Sequence, residues 1–202
     1  MKETNMTEFV LENFELVADN LIEDELFKDI PIVGHAIKIC KIKDGISDRI
    51  FILKLLKFFS SLNSLSEDKR NKMKKTLKTK MEERRKVSEK ILLTLDNISE
   101  LKKSELVAYV FISYIDEFIN FEEFNRICHS INTAFYEDII FFLEMDSLPA
   151  KSKDDYMKYL SQANLTEPHN GENYGEANQV FYRSTRIGDK FRMAYSNVKE
   201  NF

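Results

Sequence analysis

Apolar residues recur at three- and four-residue intervals along most of this chain, and only the last fifty residues leave that period. The pattern predicts a succession of helices. Thr7 is placed to cap the first, with Phe9, Val10, Phe14, Val17 and Leu21 on its stripe and an end near Lys28. Pro31 suits the first turn of the second, whose stripe is Ile32, Val33, Ala36, Ile37 and Cys40. Lys38, Lys41 and Lys43 lie off that stripe, and Gly45 ends it.

Ser47 is the expected cap of a third helix. Phe51, Leu55, Phe58 and Leu62 cover one side of it, Ile52, Leu56 and Phe59 the next, and Lys54, Lys57 and Ser61 form its polar line. A helix apolar around most of its circumference belongs at the centre of a bundle. Ser66, Glu67 and Asp68 open a lysine-rich helix to about Lys80, with the thin stripe Met73, Leu77 and Met81. A break near 81–83 precedes a fuller stripe, Val87, Ile91, Leu95 and Ile98. A further helix covers about 103–119. Asn120 and Glu123 make a capping box for a long helix to about Met145, with Phe121, Phe124, Ile127, Ile131, Phe135, Ile139 and Phe142 on its stripe. Beyond Pro149, Ser152 opens a short helix. Two short strands, about 165–167 and 179–183, flank a turn-rich stretch with Asn170, Gly171, Asn173 and Gly175, and Thr185 caps a final helix to about Asn197.

The expected fold class is therefore mainly α, a multi-helix bundle with a small C-terminal α+β tail. The expected domains are a helical core, 1–148, and a subdomain, 149–202. Composition supports this: five glycines and three prolines in 202 residues supply few tight turns. Two cysteines, Cys40 and Cys128, make no disulfide framework and favour a reducing interior. The acidic opening segment is the reverse of a secretory leader, and no apolar stretch reaches membrane-spanning length. The expected localisation is cytoplasmic, with a peripheral place at the inner membrane surface as the alternative.

The net charge of −4 hides blocks of opposite sign: residues 66–92 carry eleven basic and five acidic side chains, residues 93–148 three and eleven. Lys72, Lys74, Lys75, Lys78, Arg84 and Arg85 on the basic stretch, with Arg183 and Arg186 in the tail, are the partner-binding candidates. No aromatic lies between Ser60 and Val107, so the basic stretch offers no platform for stacking bases. The plain reading of the stretch is a solvated helix face, and as a binding surface it suits an anionic protein or lipid better than nucleic acid.

Catalytic and metal chemistry find little here. In YIDEFINFEEF, a calcium loop ending at Glu123 would begin at Ile112, which cannot coordinate a cation. The three histidines and two cysteines have no CxxC or HxxxH spacing, and phosphate-binding and nucleophile-elbow motifs are missing. The reading is no enzyme, no cofactor and no metal.

The tail carries a resemblance. A helix ending in Asn164-Leu165, a turn-rich excursion, then Val180, Tyr182, Thr185 and Gly188 in VFYRSTRIGDKF resembles the wing of winged-helix proteins. That resemblance implies a nucleic-acid or protein-docking module. The acids before it (Glu122, Glu123, Glu137, Asp138, Glu144, Asp146) favour protein over phosphate. The front half looks like uncharacterised bacterial helical proteins with an IPIVG segment, a Ser-Asp-x-x-Phe helix and a Phe-x-x-x-Leu end, which implies a bacterial origin and no activity. The expected function is a non-catalytic bacterial interaction or accessory protein of a mobile-element or phage-defence system, with a protein partner. The alternatives are a peripheral membrane protein acting through residues 30–62 and a winged-helix nucleic-acid regulator.

Overall fold

A computed structural model describes residues 45–63, 65–79, 81–145, 151–170 and 179–199, with Leu16, Asp19 and Glu23 as single helical positions. The chain is mainly helical, with one two-stranded antiparallel sheet near its C-terminus followed by a helix. Among the described residues the helices are α1 (Ile46–Asn63), α2 (Glu67–Thr79), α3 (Met81–Asn97), α4 (Lys103–Ile115), α5 (Phe121–Thr133), α6 (Tyr136–Glu144), α7 (Asp155–Ser161) and α8 (Arg186–Lys199). The strands are β1 (Thr166–Asn170) and β2 (Val180–Ser184), between α7 and α8. Apart from Leu16, Asp19 and Glu23, the helix expected at 7–28 lies outside the described residues, as do the helix expected at 31–43, the residue Cys40, the loop residues Gly171, Asn173 and Gly175, and the domain boundary at 148/149. Contacts divide the chain into two compact units, Met1–Ala108 and Tyr109–Phe202.

In the first unit, α1 is core. Ile52, Leu55, Phe58 and Leu62 are wholly buried, and the Phe58 and Phe59 rings meet edge to face at 5.0 Å. Burying one such side chain contributes about 1.5–3 kcal/mol. Val87, Ile91, Leu95 and Ile98 bury the expected stripe of α3 and the residue after it. The expected cap at Ser47 is corrected. Gly45 precedes the first turn, and its N–H donates to Asp48 Oδ2 at 3.0 Å. The polar line of α1 is bound inside the unit: Lys54 Nζ donates to the Asp96 carbonyl at 2.9 Å, and Lys57 pairs with Glu105 at 3.7 Å. Burial pulls the Lys54 ammonium below its ordinary range, opposed by the charge of Asp96.

The second unit assembles α5–α8 and the hairpin onto the later part of α4. That helix stops at Ile115, short of the expected 119. Phe118 N–H reaches the Ser113 carbonyl at 2.9 Å and Glu117 N–H the Tyr114 carbonyl at 3.0 Å, with Glu117 at φ 60°. These bonds close the helix in a left-handed C-terminal motif. The expected single helix from Asn120 to Met145 is also corrected: Ala134 and Phe135 are extended, at ψ 157° and 144°, and separate α5 from α6. No glycine or proline signals the break. Glu137 and Asp138 then fall in the first turn of α6, where the helix dipole favours acids.

The capping box is present. Asn120 Oδ1 accepts from Glu123 N–H at 2.9 Å, and Glu123 Oε2 accepts from Asn120 N–H at 3.0 Å. α7 ends in a second left-handed motif with Asn164 at φ 58°. Leu165 N–H there reaches the Leu160 carbonyl at 3.1 Å, and both leucines are wholly buried. β1 and β2 pair from Thr166–Ser184 to Asn170–Val180, and Ser152 adds an isolated bridge to Tyr182. Thr185 caps α8 as expected, accepting at Oγ1 from Gly188 N–H at 3.0 Å.

Candidate interaction surface

The candidate residues are side chains that each unit's own core leaves outside. On the basic helices, Lys72, Lys75 and Arg85 are exposed and Lys74 is half-buried. Arg85 pairs with Glu89 one turn on at 2.9 Å. Lys78 and Arg84 lie within α2 and α3. The two tail candidates are engaged inside the second unit. Arg183 crosses the hairpin to Glu167 at 2.8 Å, and Arg186 reaches Glu123 Oε1 at 2.9 Å.

Glu123 thereby divides its two oxygens between α5 and α8, Oε2 on the Asn120 cap and Oε1 on Arg186. Burial opposes its ionisation, but the Asn120 N–H and Arg186 together outweigh burial and hold it below the usual carboxylate range. A shallow cleft of about 240 Å³ opens beside it, lined by Asn120, Glu122, Arg126 and Ile187 among others.

A larger cleft of about 410 Å³ lies between the end of α6 and α8. Arg192 donates to the carbonyls of Phe142 and Met145, which satisfies the C-terminal carbonyls of α6. Glu144 Oε1 accepts from Tyr195 Oη at 2.8 Å and from Lys199 Nζ at 2.5 Å. The Lys199 bond, then that of Tyr195, holds Glu144 below its ordinary range. Burial first, then Glu144, pushes the Tyr195 hydroxyl up. Chemically this trio is a clamp: each polar group already has its partner within the fold.

The surface of α6 and α7 is different. On α6 the exposed positions are Glu137, Phe141 and Glu144, one stripe at helical spacing. Phe141 is 56% exposed, and its ring meets Tyr156 of α7 edge to face at 4.7 Å. Tyr159, one turn further along α7, is 52% exposed. Asp154 and Asp155 stand at the start of that helix. Burial, and after it the neighbouring Glu137, pushes the Asp138 carboxyl up; burial first, then Asp154, pushes the Tyr156 hydroxyl up against the charge of Arg192.

None of these aromatics was among the sequence candidates. The available signal was phase: Phe141 is the apolar residue of IIFFL that sits off the stripe of Ile139 and Phe142. Phe135, placed on that stripe by an unbroken helix, is 70% exposed because the extended pair at 134–135 resets the phase. Among the described residues no helix is long and apolar enough to cross a membrane, and no group of three or more histidine, cysteine or acidic side chains is arranged to hold a metal ion. Comparison of the chain with protein-family models, curated proteins and solved structures finds no match.

Proposed function

We propose that this chain is a non-catalytic interaction protein that docks another protein on the exposed face of α6 and α7. The observation that carries the reading is the Phe141–Tyr156 ring pair, with Phe141 exposed and Tyr156 half-buried at the surface of the second unit. Exposed aromatic side chains held in fixed geometry are the common energetic centres of protein interfaces, because they bring large contact area at little entropic cost. The polar clusters of the second unit support the same reading, since Glu123, Arg186, Glu144, Tyr195, Lys199 and Arg192 all bind one another or the backbone. In the described part of the 30–62 segment most apolar side chains from Phe51 to Leu62 turn inward and only Ile46 and Ile50 at the start of α1 are exposed, which favours the α6–α7 face over that segment as the docking surface.

A photo-crosslinking phenylalanine analogue at position 141, introduced into the full chain in its host cells, tests the reading. A discrete protein adduct is expected there, and none at Leu93, an equally exposed apolar position on α3. Adducts no more discrete at 141 than at 93 overturn it. Binding to anionic vesicles or to DNA that survives Phe141→Ala would move the function to a lipid or nucleic-acid surface elsewhere on the chain.

A further inference from the structure

We infer that the partner docked on the α6–α7 face is a basic segment, one that brings an arginine or lysine side chain onto the Phe141–Tyr156 rings and among the acids beside them. The inference rests on the docking reading above and adds the chemistry of the partner.

Glu137 lies one turn before Phe141 on the same exposed stripe, and Glu144 one turn after it. Asp154 and Asp155 directly precede Tyr156, and Asp155 lies one turn before Tyr159. The cations of the same surface are mostly committed: Lys199 to Glu144, Arg192 to the α6 carbonyls, and Lys153, directly before Asp154, to Gln179, while Lys158 stands exposed on α7. The rings are thus framed by the carboxylates of Glu137, Asp154 and Asp155, while that of Glu144 is already answered by Lys199.

That frame discriminates between occupants. A phosphate-rich or acidic partner would bring like charge against Glu137 and Asp155. A neutral apolar partner would strip water from these carboxylates and leave them unpaired. A basic partner satisfies them, and its cation finds the negative face of an aromatic ring in addition. Arginine suits both roles, because its flat guanidinium stacks on a ring while its edge pairs with a carboxylate.

The test titrates the full chain, by calorimetry, with two 14-residue amphipathic peptides. They share the same leucine positions and carry arginine or glutamate at every polar position. The arginine peptide is expected to bind and the glutamate peptide not to bind. Raising sodium chloride from 50 to 300 mM should weaken binding by about tenfold, because exposed charge pairs are screened. Glu137→Lys should weaken it by about tenfold or more, Glu137→Gln by less, and Phe141→Ala by a similar factor. Glu67→Lys, at the exposed start of α2, should leave it unchanged. Failure of the arginine peptide to bind, equal binding of both peptides, or full affinity in Glu137→Lys overturns the inference. If the crosslinker at 141 captures a protein while the arginine peptide does not bind, the docking role stands and the basic partner falls. If no adduct forms at 141, the docking role itself falls.

Discussion

A Cβ placed on Gly188 would lie 2.2 Å from the carbonyl oxygen of Leu165. The same carbonyl accepts from Thr185 N–H at 3.0 Å, so it cannot swing aside without opening the junction between β2 and α8. Ser184 Oγ and Phe142 Cζ close the remaining space at 2.7 and 3.0 Å. The third residue of α8 must therefore be glycine, because backbone and not a yielding side chain fills the space a methyl would need.

Gly188→Ala is accordingly expected to destabilise the chain by about 2–3 kcal/mol or more, the scale of overpacking against atoms that cannot move. Urea denaturation reads this directly. A parental midpoint would mean that the start of α8 shifts away from Leu165 at no cost.

Phe58 is wholly buried and rests edge to face on Phe59. Phe58→Ala should cost about 3–5 kcal/mol through lost contacts and the cavity left behind. A variant with the parent's melting temperature would place α1 outside the core.

Glu117 holds φ 60° at the end of α4, a conformation that a side chain with Cβ adopts at some cost. Glycine adopts it freely, so Glu117→Gly should raise stability by about 0.5–1 kcal/mol despite its extra freedom in the unfolded chain. Thermal melting at neutral pH checks the sign; a lowered midpoint would show that the Glu117 side chain contributes more than its backbone costs.

Glu123 and Glu144 both ionise more readily folded than unfolded. A carboxylate with a depressed folded value stabilises the fold above its unfolded value and loses that contribution as pH falls through the folded one. Stability should therefore be flat above about pH 5 and decline progressively below about pH 4.5, near the unfolded glutamate value. The double variant Glu123→Gln, Glu144→Gln should start lower at pH 6 and decline less between pH 5 and pH 3. An unchanged acid slope would mean that other carboxylates govern it.

Much of this architecture was legible in the residues. The capping box Asn120–Glu123, the threonine cap at Thr185, the inward stripe of α3 and the burial of α1 all arise from interactions within a few residues or from a helical period, which a linear pattern records. The pairing of two strands on either side of the turn-rich stretch was legible for the same reason, since both lie within a few residues of it in sequence.

What lay beyond the sequence depends on partners distant along the chain. The break at Ala134–Phe135 has no glycine or proline to announce it, and it alone turns Phe135 outward. Arg183 and Arg186 read as unpaired surface charge until the fold brings Glu167 and Glu123 to them. The Phe141–Tyr156 pair joins two helices whose separation in sequence says nothing of ring contact. The linear chain thus determined which residues form helices and which face each helix buries, because propensity, caps and hydrophobic period are local. Only the tertiary structure decided which charges are already answered and which aromatic side chains the core has no room for, because those follow from how the buried faces fill space together.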